Sequence, residues 1–401
     1  MSIVYPTLPK YFNVAGPCIP DRHYMIPALA RLPEAQKLAQ QGHYFVIHAA
    51  RQSGKTTLLR TLTNEINKQG QFYALYCSLE TLQGMPDIDR TSHLIVDLLN
   101  AAVAISPGLK SLNSGMLPAE SPVTAVRLAL SQLCASLDKP LIIFFDEADC
   151  LSGQTLITFL RQLRDGYVNR DAAPFPWSIS LIGMRDIRDF KAHIRPDSET
   201  LGSASPFNIV TEALTLSNFT QEQIAVLYQQ HTEATGQVFE PDAVDQALYW
   251  SQGQPWLVNA LARLVVEKDM GGDYTKPVTA AHIGNAAEAI MQRRDTHIDS
   301  LLERLKEPRV RRVVEPVLAG LNNTVPLQDD DTKFCLDLGL LKDDLEMGLC
   351  PANPIYRDVI VRALNYDTQF GLPRTLSSRW MDGKNLDMSA LLREFQRFWR
   401  E

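Results

Sequence analysis

The sequence predicts an α/β domain built on a parallel sheet, followed by two smaller and mostly helical regions. Three observations carry that prediction. From 43 to about 215, short runs rich in β-branched and aromatic residues alternate with helical stretches, the rhythm of strands joined by crossover helices. Those runs show little polar–apolar alternation, as strands buried on both faces do. After Leu216 the β-type runs stop and helical periodicity takes over.

The chain has 401 residues, enough for two or three domains. At 45% hydrophobic and 21% charged residues it is far from the composition of a disordered chain. Its six cysteines (Cys18, Cys77, Cys134, Cys150, Cys335 and Cys350) form no Cys-x-x-Cys pair and join no histidine cluster, so neither structural zinc nor a disulfide framework is expected. A net charge of −7 weighs against a general polyanion binder. No apolar run suits a bilayer and the first ten residues have no signal-peptide core, so a cytoplasmic setting without membrane contact is expected.

Taken in order, 1–42 read as a proline-punctuated lead-in and a helix over 27–41. The sheet region, 43–216, offers strands at 44–49, 72–77, 141–146, 178–183 and 207–215, with helices over 55–69, 93–104 and 123–137 among them. Thr220 with Gln223 three residues on is a capping-box start. The helical pattern of 217–275 runs to about 267, broken by Gly236 and by Gly253-Gln254-Pro255. In 276–366, helices over 280–306 and 308–319 precede two short strands at 339–342 and 348–351, and helices followed by a small hairpin predict a winged helix. The tail, 367–401, carries an amphipathic helix over 387–401 whose Leu391, Leu392, Phe395, Phe398 and Trp399 need something to cover them.

Two motifs carry chemistry. Ala49-Ala50-Arg51-Gln52-Ser53-Gly54-Lys55-Thr56 sits where the first strand gives way to the first sheet helix. Gly54 lets the backbone turn its N–H groups inward around a triphosphate, and the helix start adds the positive end of its dipole. Lys55 is placed for the β and γ phosphates, Thr56 for Mg²⁺, and Arg51, Gln52, Ser53 and Thr57 complete the nucleotide-binding loop. The usual pattern opens with glycine, and Ala49 stands there instead. A chance Gly-Lys-Thr at a helix start is the alternative, and the flanking strand and helix weigh against it. The second motif is Leu141-Ile142-Ile143-Phe144-Phe145-Asp146-Glu147, an apolar strand ending in two carboxylates. Asp146 is placed to hold Mg²⁺, directly or through water, and Glu147 to take a proton from attacking water. Acidic residues can merely end a buried strand; here an Asp-Glu pair lies downstream of Gly-Lys-Thr.

With these motifs the chain resembles P-loop ATPases of the AAA+ and STAND type, and in particular bacterial AAA-like ATPases, over roughly 10–365. The resemblance implies a P-loop NTPase sheet of order 5-1-4-3-2, a helical lid, a winged-helix domain, and an ATPase with ATP and Mg²⁺ as its ligands. It implies three further site residues or groups. An arginine ending the fourth strand senses the γ-phosphate in STAND ATPases, which points to Arg185. The Gly253-Gln254-Pro255 turn is similar to the lid motif whose proline lies against adenine. The lead-in from Gly16 to Met25 is similar to the segment that closes over the base, which brings in His23 and Tyr24. Longer relatives continue into a nuclease-like domain of the PD-(D/E)XK type; no such motif is present here, and no nuclease activity is expected.

Arg161, Arg164 and Arg170 could act on a neighbouring subunit's site, although a solvated helix face is the simpler account of each. The histidines pair with nothing at metal spacing. Arg304, Lys306, Arg309, Arg311 and Arg312 form a basic cluster, interleaved with Glu303, Glu307 and Glu315. Asp329, Asp330 and Asp331, with Asp343, Asp344 and Glu346, place like charge where DNA phosphates would lie, which disfavours DNA as a partner. The expected function is a molecular switch that binds and hydrolyses ATP, with an ATP-gated DNA-binding initiator-like module or a nucleotide-holding scaffold as the alternatives. A homo-oligomer, or a protein partner engaging the C-terminal helix, is the expected form of association.

Overall fold

The computed structural model describes residues 9–106, 108–109, 121–151, 153–183, 209–293, 296–321, 326–371, 381–382, 385–386 and 388–398. Two short helices lead into the sheet, Ala28–Arg31 (α1) and Pro33–Gln40 (α2). The sequence predicts one helix over 27–41. Pro33 divides it: proline has no N–H to continue the ladder and drives its predecessor from helical geometry, and Leu32 sits at φ −151°.

The sheet region then runs β1 (Tyr44–His48), α3 (Lys55–Gln69), β2 (Tyr73–Ser78), α4 (Ile88–Ile105), α5 (Pro122–Ala135), β3 (Leu141–Asp146), α6 (Gly153–Val168), β4 (Ser178–Gly183) and β5 (Val210–Thr215). All five strands are parallel, in the order β2-β3-β4-β1-β5, which is 5-1-4-3-2 from the opposite edge. Residues 207–208 of the expected fifth strand lie outside the described residues. Every residue of β3 and β4 is buried, which explains the apolar run of β3 up to Asp146 and the apolar and small residues of β4. Successive side chains point to opposite faces. Phe144 thus joins Phe45 and Ile47 in a core with α2 and α3, while Phe145 joins Val46 and Leu75 in a core with α4, α5 and α6.

Beyond the sheet come α7 (Gln221–Thr235), α8 (Pro241–Ser251), α9 (Pro255–Arg263), which widens into a π-turn at Leu264–Asp269, and α10 (Ala280–Gln292). The expected capping box starts α7: Gln223 N–H donates to Thr220 Oγ1 at 3.3 Å and Thr220 N–H to Gln223 Oε1 at 3.2 Å. Next are α11 (Thr296–Leu305), α12 (Pro308–Leu318), α13 (Asp330–Asp337), the antiparallel pair β6 (Leu341–Asp344) and β7 (Gly348–Pro351), and α14 (Pro354–Gly371). The single helix expected over 280–306 is two helices, since the backbone turns extended at Arg293 (ψ 138°). A short pair, β8 (Met381–Asp382) and β9 (Asn385–Leu386), precedes α15 (Met388–Phe398), on which Leu392 and Phe395 are exposed.

One hydrophobic core runs through the helical half from Ile224 to Ile360 and takes in Phe12, Tyr24 and Ile26 of the lead-in. The lead-in is thus built into the helical half, while α1 and α2 return the chain to the sheet. Among the described residues no helix is long and apolar enough to cross a membrane.

Candidate functional site

Parallel strands end on one side of a sheet, and ligands of open α/β folds gather outside those carboxyl ends. The loop after β1 closes there with Gln52 (φ 57°) and Gly54 (φ 88°) in left-handed backbone. A left-handed glutamine is strained, and such strain is found where a ligand needs the backbone turned. Lys55 opens α3 and is buried; its Nζ donates to Ala49 O at 3.0 Å, across the floor of the loop. Thr56 Oγ1–H donates to Asp146 Oδ2 at 2.9 Å, the Tyr76 hydroxyl donates to the same oxygen at 2.9 Å, and Glu147 N–H donates to Oδ1 at 3.0 Å. The β2–β3 register pairs Tyr76 with Phe144, and so puts Tyr76 on the face that Asp146 shares. Asp146 is only 1% exposed. Thr56 and Asp146 form a pair of hard oxygen donors, a set that suits Mg²⁺, which takes few protein oxygens and completes its shell with water and phosphate.

Glu147 is the first residue past β3 and is left-handed (φ 54°), which turns its side chain off the strand and into the cleft. Burial raises its carboxyl pKa; Lys55 pulls the other way, and Asp149, Asp146 and Glu80 add to the rise. A carboxylate of raised pKa that lines a cleft is the kind of group that can act as a general base.

The cleft has a volume of about 590 Å³, within the range of small-molecule sites. Its polar end holds Lys55, Thr56, Glu80 and Glu147, and its apolar end Val14, Ile26, Phe219, Leu227, Pro255 and Trp256. Arg51, Gln52, Gly54, Thr57 and Tyr24 also line it, so most of the sequence-predicted residues meet in one place. Ser53 is buried, and its backbone shapes the loop. Thr57 Oγ1 accepts the Cys18 N–H at 2.9 Å, tying the lead-in to α3. His23 is not among the residues that line the cleft: its Nδ1 accepts the Ile19 N–H at 2.9 Å and its ring packs edge-on against Tyr11. Arg185 lies outside the described residues.

Pro255 starts α9 at the apolar end, and the turn before it is pinned to the chain leaving β5. Phe219 N–H donates to Gly253 O at 2.8 Å, and a Cβ on Gly253 (φ +73°) would stand 2.0 Å from Phe219 O, so only glycine fits. Gln254 reaches back to the loop, its Nε2 3.5 Å from Gln52 O. The sequence reading missed Tyr76, Trp256 and Arg31. Tyr76 becomes recognisable only once the register is known, whereas Trp256 adjoins Pro255 and was within reach of the same motif.

Residues 22–168 match the family model of the AAA ATPase domain. Compared by sequence with curated proteins, the chain matches none. Among solved structures, the Walker-type ATPase of Pyrococcus abyssi superposes with a TM-score of 0.59 at 14% identity, covering 87% of this chain and 99% of that one. The Aeropyrum pernix ORC2 protein, in ADPNP–ADP complexes, gives 0.47 at 15% identity over 85% of this chain and 93% of that one. The RuvB Holliday junction branch migration motor of Thermotoga maritima gives 0.41 at 13%, over 83% and 92%. The sheet order and the loop geometry give this chain the fold of a P-loop ATPase, and residues 22–168 are similar to the AAA ATPase domain.

Proposed function

We propose that the chain binds ATP with Mg²⁺, hydrolyses it, and uses nucleotide state to set the arrangement of a helical lid (217–275) and a winged-helix-like region (276–366). One observation carries the proposal: Lys55, the Thr56–Asp146 pair and Glu147 converge at the polar end of a cleft whose other end is apolar. In this reading the apolar end takes the base, with Pro255 and Trp256 on the lid side and Tyr24 on the lead-in side. Lys55 exchanges Ala49 O for the β and γ phosphates, and the N–H groups of 51–56 surround them. Thr56 and Asp146 would hold Mg²⁺, which would offset the charge of the phosphates. Glu147 accepts the proton of the attacking water, and Arg185 meets the γ-phosphate.

Coupling to the C-terminal region is supported by two contacts. A Cβ on Gly339 would stand 2.6 Å from Ala50 Cβ, so this glycine abuts the loop itself, and Lys342 Nζ donates to Gln252 Oε1 at 3.1 Å beside the lid turn. The basic cluster weighs against DNA as a partner. Arg304 and Arg309 both pair with Glu307, at 2.7 and 3.0 Å, Lys306 pairs with Glu303 at 2.6 Å, and Arg311 with Glu315 at 2.9 Å. A cytoplasmic setting, and self-association or a protein partner engaging the C-terminal helix, belong to the same proposal; native mass with ATP, ADP and no nucleotide reads the association.

The test is Glu147→Gln, which keeps size and hydrogen bonding but cannot accept a proton. It should bind ATP as the native chain does and turn it over roughly a hundredfold more slowly. Native turnover in this variant would leave Glu147 as the residue that ends β3 and nothing more.

A further inference from the structure

Arg31 ends α1, where the lead-in leaves the helical half for the sheet. Its Nη1 donates to Ser53 O at 2.8 Å and its Nη2 to Ser217 O at 2.8 Å. The first carbonyl belongs to the phosphate loop, and the second to the linker between β5 and α7. The guanidinium also lies 4.8 Å from the ring centre of Phe219, the residue pinned to Gly253, and it lines the nucleotide cleft. Among the described residues no carboxylate pairs with it. Burial pulls its pKa down to about 10, which still leaves it a cation at neutral pH.

Arg31 is half-buried, and these two hydrogen bonds of its guanidinium go to backbone carbonyls instead of a counter-ion. The position explains what the charge can do. In a trans peptide the C=O and the next N–H point in opposite directions. A guanidinium holding Ser53 O therefore leaves Gly54 N–H pointing the other way. By drawing electron density toward the carbonyl, it makes that N–H a stronger donor. The planar fork reaches a second carbonyl on the linker in the same act, a geometry that an ammonium group does not offer.

We propose that Arg31 is a positioning residue for phosphate binding, clamping the phosphate loop to the lid linker so that phosphate affinity and lid position depend on each other. The proposal rests on the nucleotide reading above. It is tested by calorimetric titration of ADP, and of adenosine, into the native chain, Arg31→Gln and Arg31→Lys. In Arg31→Gln, ADP affinity should fall about ten- to a hundredfold, the size of a charge-assisted contact, while adenosine affinity stays within about twofold. ADP-induced hydrogen-exchange protection across 221–263 should shrink in the same variant. Arg31→Lys keeps the charge and can hold one carbonyl, so its ADP loss should be intermediate; should the glutamine variant fail to fold, the lysine variant carries the same comparison. Equal loss for ADP and adenosine would make Arg31 a packing residue and overturn the proposal, as would unchanged ADP affinity. If the native chain itself took no ADP, the nucleotide reading would be the one to fall.

Discussion

Tyr76→Phe removes one oxygen atom and tests how the Asp146 carboxylate is held. Asp146 is buried, and no ion pair involving it is found among the described residues; instead three donors converge on it. The Tyr76 hydroxyl supplies one of the two O–H groups on Oδ2. Burial first, and then the Asp146 charge, push the phenol's pKa well above its usual value, so it acts as a donor throughout the working pH range. A hydrogen bond to a charged group contributes about 1.5–3 kcal/mol, and the phenyl ring of the variant leaves the rest of the packing in place. The sheet domain of Tyr76→Phe should therefore be less stable by about that amount. Hydrogen exchange at the β3 amides is the suitable assay, because it reports opening of the sheet without requiring the whole chain to unfold in one step. A cycle with Asp146→Asn isolates the pair, and a coupling of about 1 kcal/mol or more is expected. Equal β3 protection in Tyr76→Phe and the native chain would refute the reasoning, leaving Thr56 and the Glu147 N–H sufficient to hold the carboxylate.

Three further outcomes are expected. Lys55→Ala removes the ammonium on the floor of the phosphate loop and should weaken ADP by about tenfold or more; an unchanged affinity by calorimetry would sink the phosphate assignment. Gly253→Ala combines left-handed strain with a Cβ 2.0 Å from a backbone oxygen, and should cost about 3 kcal/mol or more, read as lost exchange protection in α8 and α9. Because burial raises the Glu147 carboxyl pKa, ATP turnover should fall as pH drops through a value above the ordinary carboxylate range, and the slow residual turnover of Glu147→Gln should lose that limb.

Much of the fold is readable from residue pattern because the sheet is buried on both faces. Leu141–Asp146 and Ser178–Gly183 have the limits the sequence predicts; apart from the closing Asp146, both are apolar or small throughout. Lys55–Gln69 is also as expected, since Gly54 and Gly70 mark its two ends. Boundaries shift where an apolar run outlasts the geometry. Leu32 and Pro33 look helical by composition, yet Pro33 stops the ladder. The site divides the same way. Lys55, Thr56, Asp146 and Glu147 sit in contiguous motifs and are visible in one dimension. Tyr76 acts across strand register on a group 70 residues away, and Arg31 acts across the joint between the two halves on carbonyls 22 and 186 residues away, and no local pattern encodes either. His23 lies in the right segment but not on the cleft, and its Nδ1 is engaged by a backbone N–H four residues away.

The C-terminal region meets the loop at a point that explains two small residues. Gly339 is left-handed (φ +71°), and any side chain there would drive into Ala50, the residue before Arg51. Ala50 in turn has no room to grow without displacing that contact. Lys342, three residues on, reaches Gln252, itself left-handed (φ 48°) and immediately before Gly253. A second cleft of about 380 Å³ lies between these contacts, and Arg51 lines both it and the nucleotide cleft. The phosphate loop is thus held on one flank by Arg31 and on the other by the approach to β6. The C-terminal region touches Ala50 directly, and meets the Gly253-Gln254-Pro255 turn through Gln252, without the body of the lid between them. The two places where nucleotide contact is proposed, the loop and the lid turn, are the same two places that this region touches, so under the proposed function one displacement at β6 would bear on both ends of the ligand.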